Sequence, residues 1–327
     1  MPRRDIIVVG ASAGGIGVLQ TILASLPWDL PASIFIVVHT SEDNPGLLPG
    51  ILNRSSNLPV LYGVHNAPIL PARVYVAPPG QRHLLLERGK LRLEPGPREN
   101  RNRPSIDVLF RSASHAYGAH VIGVVLSGNL DDGSAGISDI KRRGGMAMVQ
   151  EPDEADAPSM PLSAIESTEV DFVLPAQQIG PKLVELVGTE AGEKVQAISR
   201  GNENMEPTGQ AYPCPECGGV LQETAEGEML RFRCRVGHVY SPESLMADQN
   251  LATERALWAA IRSLEEQAEF SERLAKSSRQ KAHPQLARRF GDKAKSSRND
   301  AAVLRNLLEK AADEVLEVPL EQTGTEQ

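Results

Sequence analysis

The sequence predicts an α/β fold: a mostly parallel, doubly wound sheet with helices on both faces, followed by a small cysteine-bearing module and a helical hairpin. Three observations predict it. Short β-branched runs alternate with helical apolar patterns through the first half of the chain, three cysteines are confined to residues 214–234, and apolar stripes at helical spacing fill the last third.

The runs lie at Ile6 to Val9, Ile34 to Val38, Val74 to Ala77, Val121 to Leu126 and Met146 to Val149. They are apolar throughout rather than alternating, the pattern of strands buried on both faces and hence of a parallel sheet. Between them, Ile16, Leu19, Ile22 and Leu23, and then Ile106, Leu109, Phe110 and Ala113, recur at spacings near three and four, which predicts helices laid on that sheet. Leu84 to Leu93, with Gly89 between two apolar segments, reads as a local hairpin. Val170 to Leu174 reads as a last strand and Ile179 to Leu186 as a last helix.

These elements assign residues 1–190 to the α/β domain. Residues 191–210, rich in Gly, Glu, Asn and Ser, read as a linker, 211–242 as the cysteine module, 243–315 as a helical region and 316–327 as a disordered tail. In the helical region Leu257, Ile261, Leu264 and Ala268 share one stripe. Leu286, Phe290, Ala294, Ala301, Leu304 and Leu308 share another, with a turn expected in residues 276–284. Such stripes predict a hairpin packed within the chain, with an oligomer through these helices as the second reading and ligand binding as the third.

The 327 residues carry a formal charge of -8, which argues against broad attraction to DNA or an anionic membrane, so no specific nucleic acid is expected as a partner. After Arg3 and Arg4 only four apolar residues precede Gly10. That is too short for a signal-peptide core or a membrane span, and the expectation is a cytoplasmic protein without membrane insertion.

The first strand runs into Gly10-Ala11-Ser12-Ala13-Gly14-Gly15 and then a helix. Small residues permit a tight strand-to-helix reversal, and a hydroxyl there sits beside unpaired backbone N–H groups able to hold an oxyanion. The same pattern also fits a phosphate cradle or a helix N-cap; a dinucleotide site is the poorer reading, because the spacing is not G-x-G-x-x-G. The second strand closes with His39, in reach of Ser12 as a general base, or else a hydrogen-bonded structural histidine. Ser127-Gly128-Asn129-Leu130-Asp131-Asp132-Gly133 leaves the strand ending at Leu126, and either aspartate could orient His39 or cap a helix. Three groups needed for one mechanism thus emerge from three strand ends. Their order, Ser, His, Asp, differs from the Ser, Asp, His of α/β-hydrolases.

Over about residues 5 to 188 the sequence resembles the catalytic domain of bacterial chemotaxis protein-glutamate methylesterases. The resemblance rests on Gly10-Ala-Ser-x-Gly-Gly15, Val38-His39, Val76-Ala77-Pro78 with Gly80 and His83, Arg103-Pro104-Ser105-Ile106-Asp107, Leu126-Ser-Gly-x-x-x-Asp132-Gly133 and Ser159-Met160-Pro161. It implies Ser12 as nucleophile, His39 as base and Asp132, rather than Asp131, as orienting acid. It further implies hydrolysis of glutamate γ-methyl esters on chemoreceptors or related signalling proteins, in some members with glutamine deamidation. Backbone N–H groups around Ala13, Gly14 and Gly15 are candidate oxyanion donors, and His83, Arg103, Ser105 and Asn129 candidate pocket residues, with a loop histidine, a surface arginine and a helix cap as the alternatives for the first three. Two departures stand out: Ala13 where the family often has Thr, and Asn129-Leu130-Asp131-Asp132 where it often has Met-Gly-Asn-Asp. The family's usual receiver domain is not expected before Ile6, so a methyltransferase, a separate regulatory protein or the C-terminal extension is expected to control or target the enzyme. The alternative is a weak or inactive signalling scaffold working through that extension.

Cys214-Pro-Glu-Cys217 is followed after sixteen residues by Cys234 and, three residues on, by His238. Two knuckles of this spacing form a tetrahedral Cys3His site for structural zinc in a zinc-ribbon-like module. The resemblance strengthens this, because residues 231–242 are similar to an extension of some receiver-less methylesterase relatives. A redox pair at Cys214 and Cys217 is the second reading, and Arg231, Arg233 and Arg235 are expected on a solvated or protein-facing surface.

Overall fold

In the computed structural model, which describes residues 3–40, 46–80, 82–190, 212–226 and 229–316, the α/β pattern is realised strand by strand. The expected linker at 191–210 and residues 317–327 of the expected tail lie outside the described residues. The chain runs β1 (Ile6–Ala11), α1 (Gly15–Ala24), β2 (Ser33–Val38), α2 (Leu48–Asn53), β3 (Val60–Tyr62) and β4 (Arg73–Val76). An antiparallel hairpin of β5 (His83–Glu87) and β6 (Lys90–Glu94) turns at Gly89, whose φ of 78° suits glycine. Then follow α3 (Ile106–Tyr117), β7 (Val121–Val125), α4 (Ser134–Arg142), β8 (Met146–Gln150), α5 (Ser159–Ser167), β9 (Phe172–Leu174) and α6 (Ala176–Leu186).

Seven strands form one sheet of order β3-β4-β2-β1-β7-β8-β9, parallel in every pair. Strand periodicity divides its side chains between two cores. Ile7, Val9, Ile34 and Ile36 pack against Leu19 and Ile22 of α1 and Ile179 and Leu183 of α6. Ile6, Val8, Phe35 and Val37 face Leu109 and Phe110 of α3, with Ile137 of α4 and Met160 of α5. Burial on both faces explains why these strands read as unbroken apolar runs. The chain adds β2, β4 and β3 on one side of β1 and β7, β8 and β9 on the other. That reversal opens a crevice beyond the carboxyl ends of β2, β1 and β7.

The cysteine module is an antiparallel sheet of β10 (Tyr212–Pro213), β11 (Val220–Glu226), β12 (Met229–Cys234) and β13 (Val239–Tyr240). Its small core holds Leu221, Phe232, Tyr240 and Leu245 beside Cys214 and Cys234. Residues up to Met246 make one compact unit and those from Ala247 a second, so the module belongs with the α/β domain. Backbone hydrogen bonds join the two: Asn100 N donates to Val239 O (2.8 Å) and Val239 N to Arg98 O (3.3 Å).

Beyond it stand α7 (Pro242–Gln280) and α8 (Pro284–Leu316). Within the second unit, Ile261, Ala268 and Ala275 on α7 and Ala287, Ala294 and Ala301 on α8 are buried at intervals of seven residues, and Ser297 Oγ donates to Gln267 Oε1 across the pair (2.8 Å). This is the heptad signature of two helices packed along their length. One stripe residue is corrected: Leu286 is 42% exposed, and the buried place in that turn belongs to Ala287. No helix among the described residues is long and apolar enough to cross a membrane.

Candidate active site

Ala11 and Val38 are register partners on β1 and β2, so the next residues, Ser12 and His39, leave neighbouring parallel strands side by side. Backbone bonds fix both exits: His39 N donates to Ala11 O (3.1 Å), and Ser12 N donates to Ser127 O (2.9 Å) beyond β7. Gly14 then turns the chain into α1 at φ 75°, where a Cβ would also lie 2.5 Å from Asp156 Cβ. Gly128 is equally constrained, since a Cβ there would come within 2.1 Å of Met160 Sδ and 2.8 Å of Ser12 Cβ. Small residues in these turns let two strand ends approach closely enough to share a site.

Among the described residues Ser12 Oγ has no hydrogen-bond partner, and Ser12 is part-exposed at the crevice. The N–H groups of Ala13 and Gly14 are likewise uncommitted to any described residue. Gly15 is a correction to the expected oxyanion set, because its N–H donates to Ser12 O (3.1 Å).

His39 Nε2 lies 2.8 Å from Asp132 Oδ2. A carboxylate in this contact only accepts, so Nε2 carries the proton and Nδ1 is the basic nitrogen. Asp132 is buried and held by four further donors. Oδ2 accepts from Ile106 N (2.9 Å), and Oδ1 accepts from Ser105 Oγ (2.9 Å), Asp107 N (3.1 Å) and Asn100 Nδ2 (3.4 Å). Burial alone raises a carboxyl; here the bond and charge of His39 and the two N–H groups at the start of α3 outweigh it and hold Asp132 below the usual range. Asp131, the other aspartate open in the sequence, faces elsewhere, accepting from Ser241 Oγ and Ser244 Oγ (both 2.9 Å).

Of the four candidate pocket residues, His83 and Ser105 lie together beside Asp132. His83 is 5% exposed, its Nε2 donates to Pro97 O (2.9 Å) and its Nδ1 accepts from Ser105 N (3.2 Å), and burial favours its neutral form. Ser105 caps α3 and binds Asp132, which places it behind the site rather than in the pocket. Arg103 Nη1 donates to Gly96 O (2.7 Å). Asn129 is exposed, and Leu130 beside it adopts φ 63°, a left-handed conformation that costs a side chain but not glycine.

Asp107, Asn100 and Arg231, to which the sequence assigns no part in the site, complete the setting. Asp107 is fully buried: Oδ1 accepts from Gly133 N (3.0 Å) and Gly136 N (2.7 Å), and Oδ2 accepts from Asn100 Nδ2 (2.8 Å) and Arg231 Nη2 (3.0 Å). Burial drives its carboxyl well above the usual range, with Arg231 the strongest opposing influence, yet all four contacts are donors and suit the carboxylate. Of the three arginines expected on a solvated or protein-facing surface, Arg233 and Arg235 are exposed, while Arg231 is buried at 2% exposure against Asp107 and Asn100.

Cys214, Cys217, Cys234 and His238 offer ligand atoms that all lie within 4.8 Å of one another. Cys217 Sγ is 3.7 Å from Cys234 Sγ, and His238 Nδ1 is 3.4 Å from Cys234 Sγ and 3.6 Å from Cys214 Sγ. Tetrahedral bonds of about 2.3 Å to sulfur and about 2.0 Å to nitrogen require edges of roughly this length, so the cluster fits a metal ion. Burial pushes the Cys214 thiol up to about 11. It also pushes Cys234 up, but hydrogen bonds from His238, including its backbone N–H at 3.3 Å, prevail and bring that thiol down to about 6.

Comparison with known proteins locates the likeness in the α/β domain. Residues 7–183 match the family model described as CheB methylesterase. A Leptospira interrogans chain, named as a candidate protein-glutamate methylesterase/protein-glutamine glutaminase, is 42% identical over 183 residues, 56% of this chain and 94% of its own. Protein-glutamate methylesterase/protein-glutamine glutaminase 2 of Anaeromyxobacter dehalogenans is 39% identical over 184 residues, 56% of this chain and 54% of its own. The crystal structure of the Thermotoga maritima CheB methylesterase catalytic domain superposes with a TM-score of 0.54 at 33% identity, covering 57% of this chain and all of that one.

Proposed function

The chain belongs to the CheB methylesterase family, and from that premise we propose that it hydrolyses glutamate γ-methyl esters on chemoreceptors or related signalling proteins, and deamidates glutamine at the same site. The observation that carries this reading is the pairing of His39 with the buried Asp132, 2.8 Å apart, at the crevice where Ser12 leaves the adjacent strand. In the proposed reaction Ser12 Oγ attacks the carbonyl carbon while its proton passes to His39 Nδ1. The N–H groups of Ala13 and Gly14 receive the developing oxyanion. Collapse breaks the bond to methoxide, or to the amide nitrogen, and the imidazolium delivers its proton to the departing methanol or ammonia. Water, deprotonated by His39, then attacks the acyl-Ser12 carbonyl, freeing the glutamate carboxylate and Ser12. Asp132 holds the tautomer that exposes a basic nitrogen and offsets the charge of the imidazolium. The proposed transfer requires Ser12 Oγ, unpartnered among the described residues, to hydrogen-bond His39 Nδ1 once substrate is in place.

For the cysteine module we propose structural zinc held by Cys214, Cys217, Cys234 and His238, which ties the turn at 214–217 to the β12–β13 turn. Four protein ligands leave no open coordination position, so the metal has no part in hydrolysis. A methylated receptor as substrate, a methyltransferase or separate regulatory protein as neighbour and a cytoplasmic location follow from the same reading. Methanol release from methylated receptor membranes, compared between the wild-type chain and Ser12→Ala, tests it. Release that persists in the variant, or none in the wild type across receptors and activators, leaves a signalling scaffold as the better account.

A further inference from the structure

We infer that Arg231, carried by the cysteine module, is a positioning residue of the triad: its guanidinium clamps Asp107 and Asn100, which between them hold Asp132 against His39. The inference rests on the proposed hydrolase reading and adds a residue that lies outside the matched domain. Arg231 Nη2 donates to Asp107 Oδ2 (3.0 Å) while Nη1 donates to Asn100 Oδ1 (3.2 Å). A second donor from the module, Ser241 N, reaches the same Asn100 oxygen (3.1 Å). With its oxygen held by two donors, the amide must turn Nδ2 toward the carboxylates, where it bridges Asp107 and Asp132. Asp107 in turn pins Gly133 N and Gly136 N, and so the turn that carries Asp132.

The charges around Asp107 show why a cation is needed. Asp132 approaches from the turn before α4 and Glu99 from the loop before α3, with His39 beyond Asp132, while Asp131 and Glu226 of the module lie at Arg231 (4.0 and 3.6 Å). The cations are Arg111 on α3 and Arg231. Arg111 pairs with Glu99 and Glu226 (both 2.7 Å), whereas Arg231 makes the direct ion pair with Asp107 (3.0 Å), shorter than its own approaches to Glu226 and Asp131, and is therefore the counter-charge of Asp107. An unpaired carboxylate beside Asp132 favours the imidazolium form of the pair, whereas a protonated Asp107 loses acceptor capacity toward Gly133 and Gly136. Both consequences move the working range of the site to higher pH.

The test uses the full, metal-loaded chain and p-nitrophenyl acetate, a small ester that makes no demand on receptor docking. In Arg231→Met, kcat should fall about tenfold with KM little changed, and the acid limb of the kcat pH profile should move up by about one unit. Arg231→Gln, neutral but able to hydrogen-bond, should show the same shift, and it decides the matter if the methionine variant does not fold. Arg231→Lys, which keeps the charge, should restore the limb. Metal content and melting temperature recorded alongside separate loss of the module from loss of the clamp. An acid limb unmoved in the folded neutral variants overturns the inference, even if kcat falls. Failure of the hydrolase reading is distinguishable, because wild type and Ser12→Ala would then hydrolyse the ester equally.

Discussion

Asp131 and Asp132 are consecutive residues whose carboxylates serve opposite sides of one turn: Asp132 meets His39, and Asp131 binds the hydroxyls of Ser241 and Ser244 at the start of α7. Their amide variants should therefore separate catalysis from docking. Asp132→Asn removes the charge that favours imidazolium and accommodates the wrong tautomer, and should lower kcat about a thousandfold or more. Asp131→Asn should leave kcat within a few fold and cost about 1 kcal/mol of stability. Steady-state kinetics and denaturant melts on both variants provide the check, and equal losses of kcat would overturn the division of labour.

Acid should weaken the molecule partly through Asp132. Its folded carboxyl lies below the ordinary range, so the folded state binds fewer protons than the unfolded chain. The stability it contributes is present above the unfolded value of about 3.9 and is lost as pH falls through the lower, folded one. Wild type should thus exceed Asp132→Asn in stability at neutral pH, with the gap closing in strong acid. Urea melts of the two proteins from pH 7 to pH 3 measure it, and a gap that widened on acidification would contradict the sign.

Gly128 offers a purely steric probe of the nucleophile. A methyl group there meets Met160 Sδ and Ser12 Cβ, and both must shift. Gly128→Ala should cost about 1–3 kcal/mol from overpacking and lower kcat through the displaced serine. Melting curves and p-nitrophenyl acetate turnover report the two effects separately.

One metal ion per chain is expected, with Cys217→Ser or chelation loosening the β10–β13 sheet. Because Asn100 N bonds to Val239 O, the loosening should reach the α/β domain at residues 98–100. Hydrogen exchange read peptide by peptide tests this: protection at Asn100 that survives metal removal would separate the module's folding from the site behind it.

The α/β domain was legible because a parallel sheet imposes unbroken apolar strands, and strand-end residues in such a sheet converge by topology. Ser12, His39 and the Asp131-Asp132 turn were found that way. The choice between the aspartates depended on side-chain direction, which local spacing does not encode. The short edge strand β3, with Leu61 exposed beside buried Val60, lacked a sufficient run. The burial of Arg231 is not encoded locally, for a more general reason. An arginine in an alternating β-strand is ordinarily the solvated residue, and β12 reverses that rule because a second, acidic surface covers it. Asn100 and Asp107 carry signals only in retrospect: a positive φ of 48° for Asn100, and a carboxylate in the first turn of α3 whose burial no periodicity reveals.

The central place of β1 has a consequence for the order in which the molecule is made. Its neighbour β2 leaves the ribosome soon afterwards, but β7, its partner on the other side, is separated from it by the whole of β2 to α3. During that interval an apolar strand presents one open edge, the condition under which nascent chains pair wrongly with one another. At typical rates the wait for β7 lasts about 5–20 s, and only much later does Arg231 arrive to close the cluster behind the histidine. Chaperone capture of the nascent chain should therefore concentrate between completion of β1 and completion of β7, and a nascent protein should carry its serine long before it can use it.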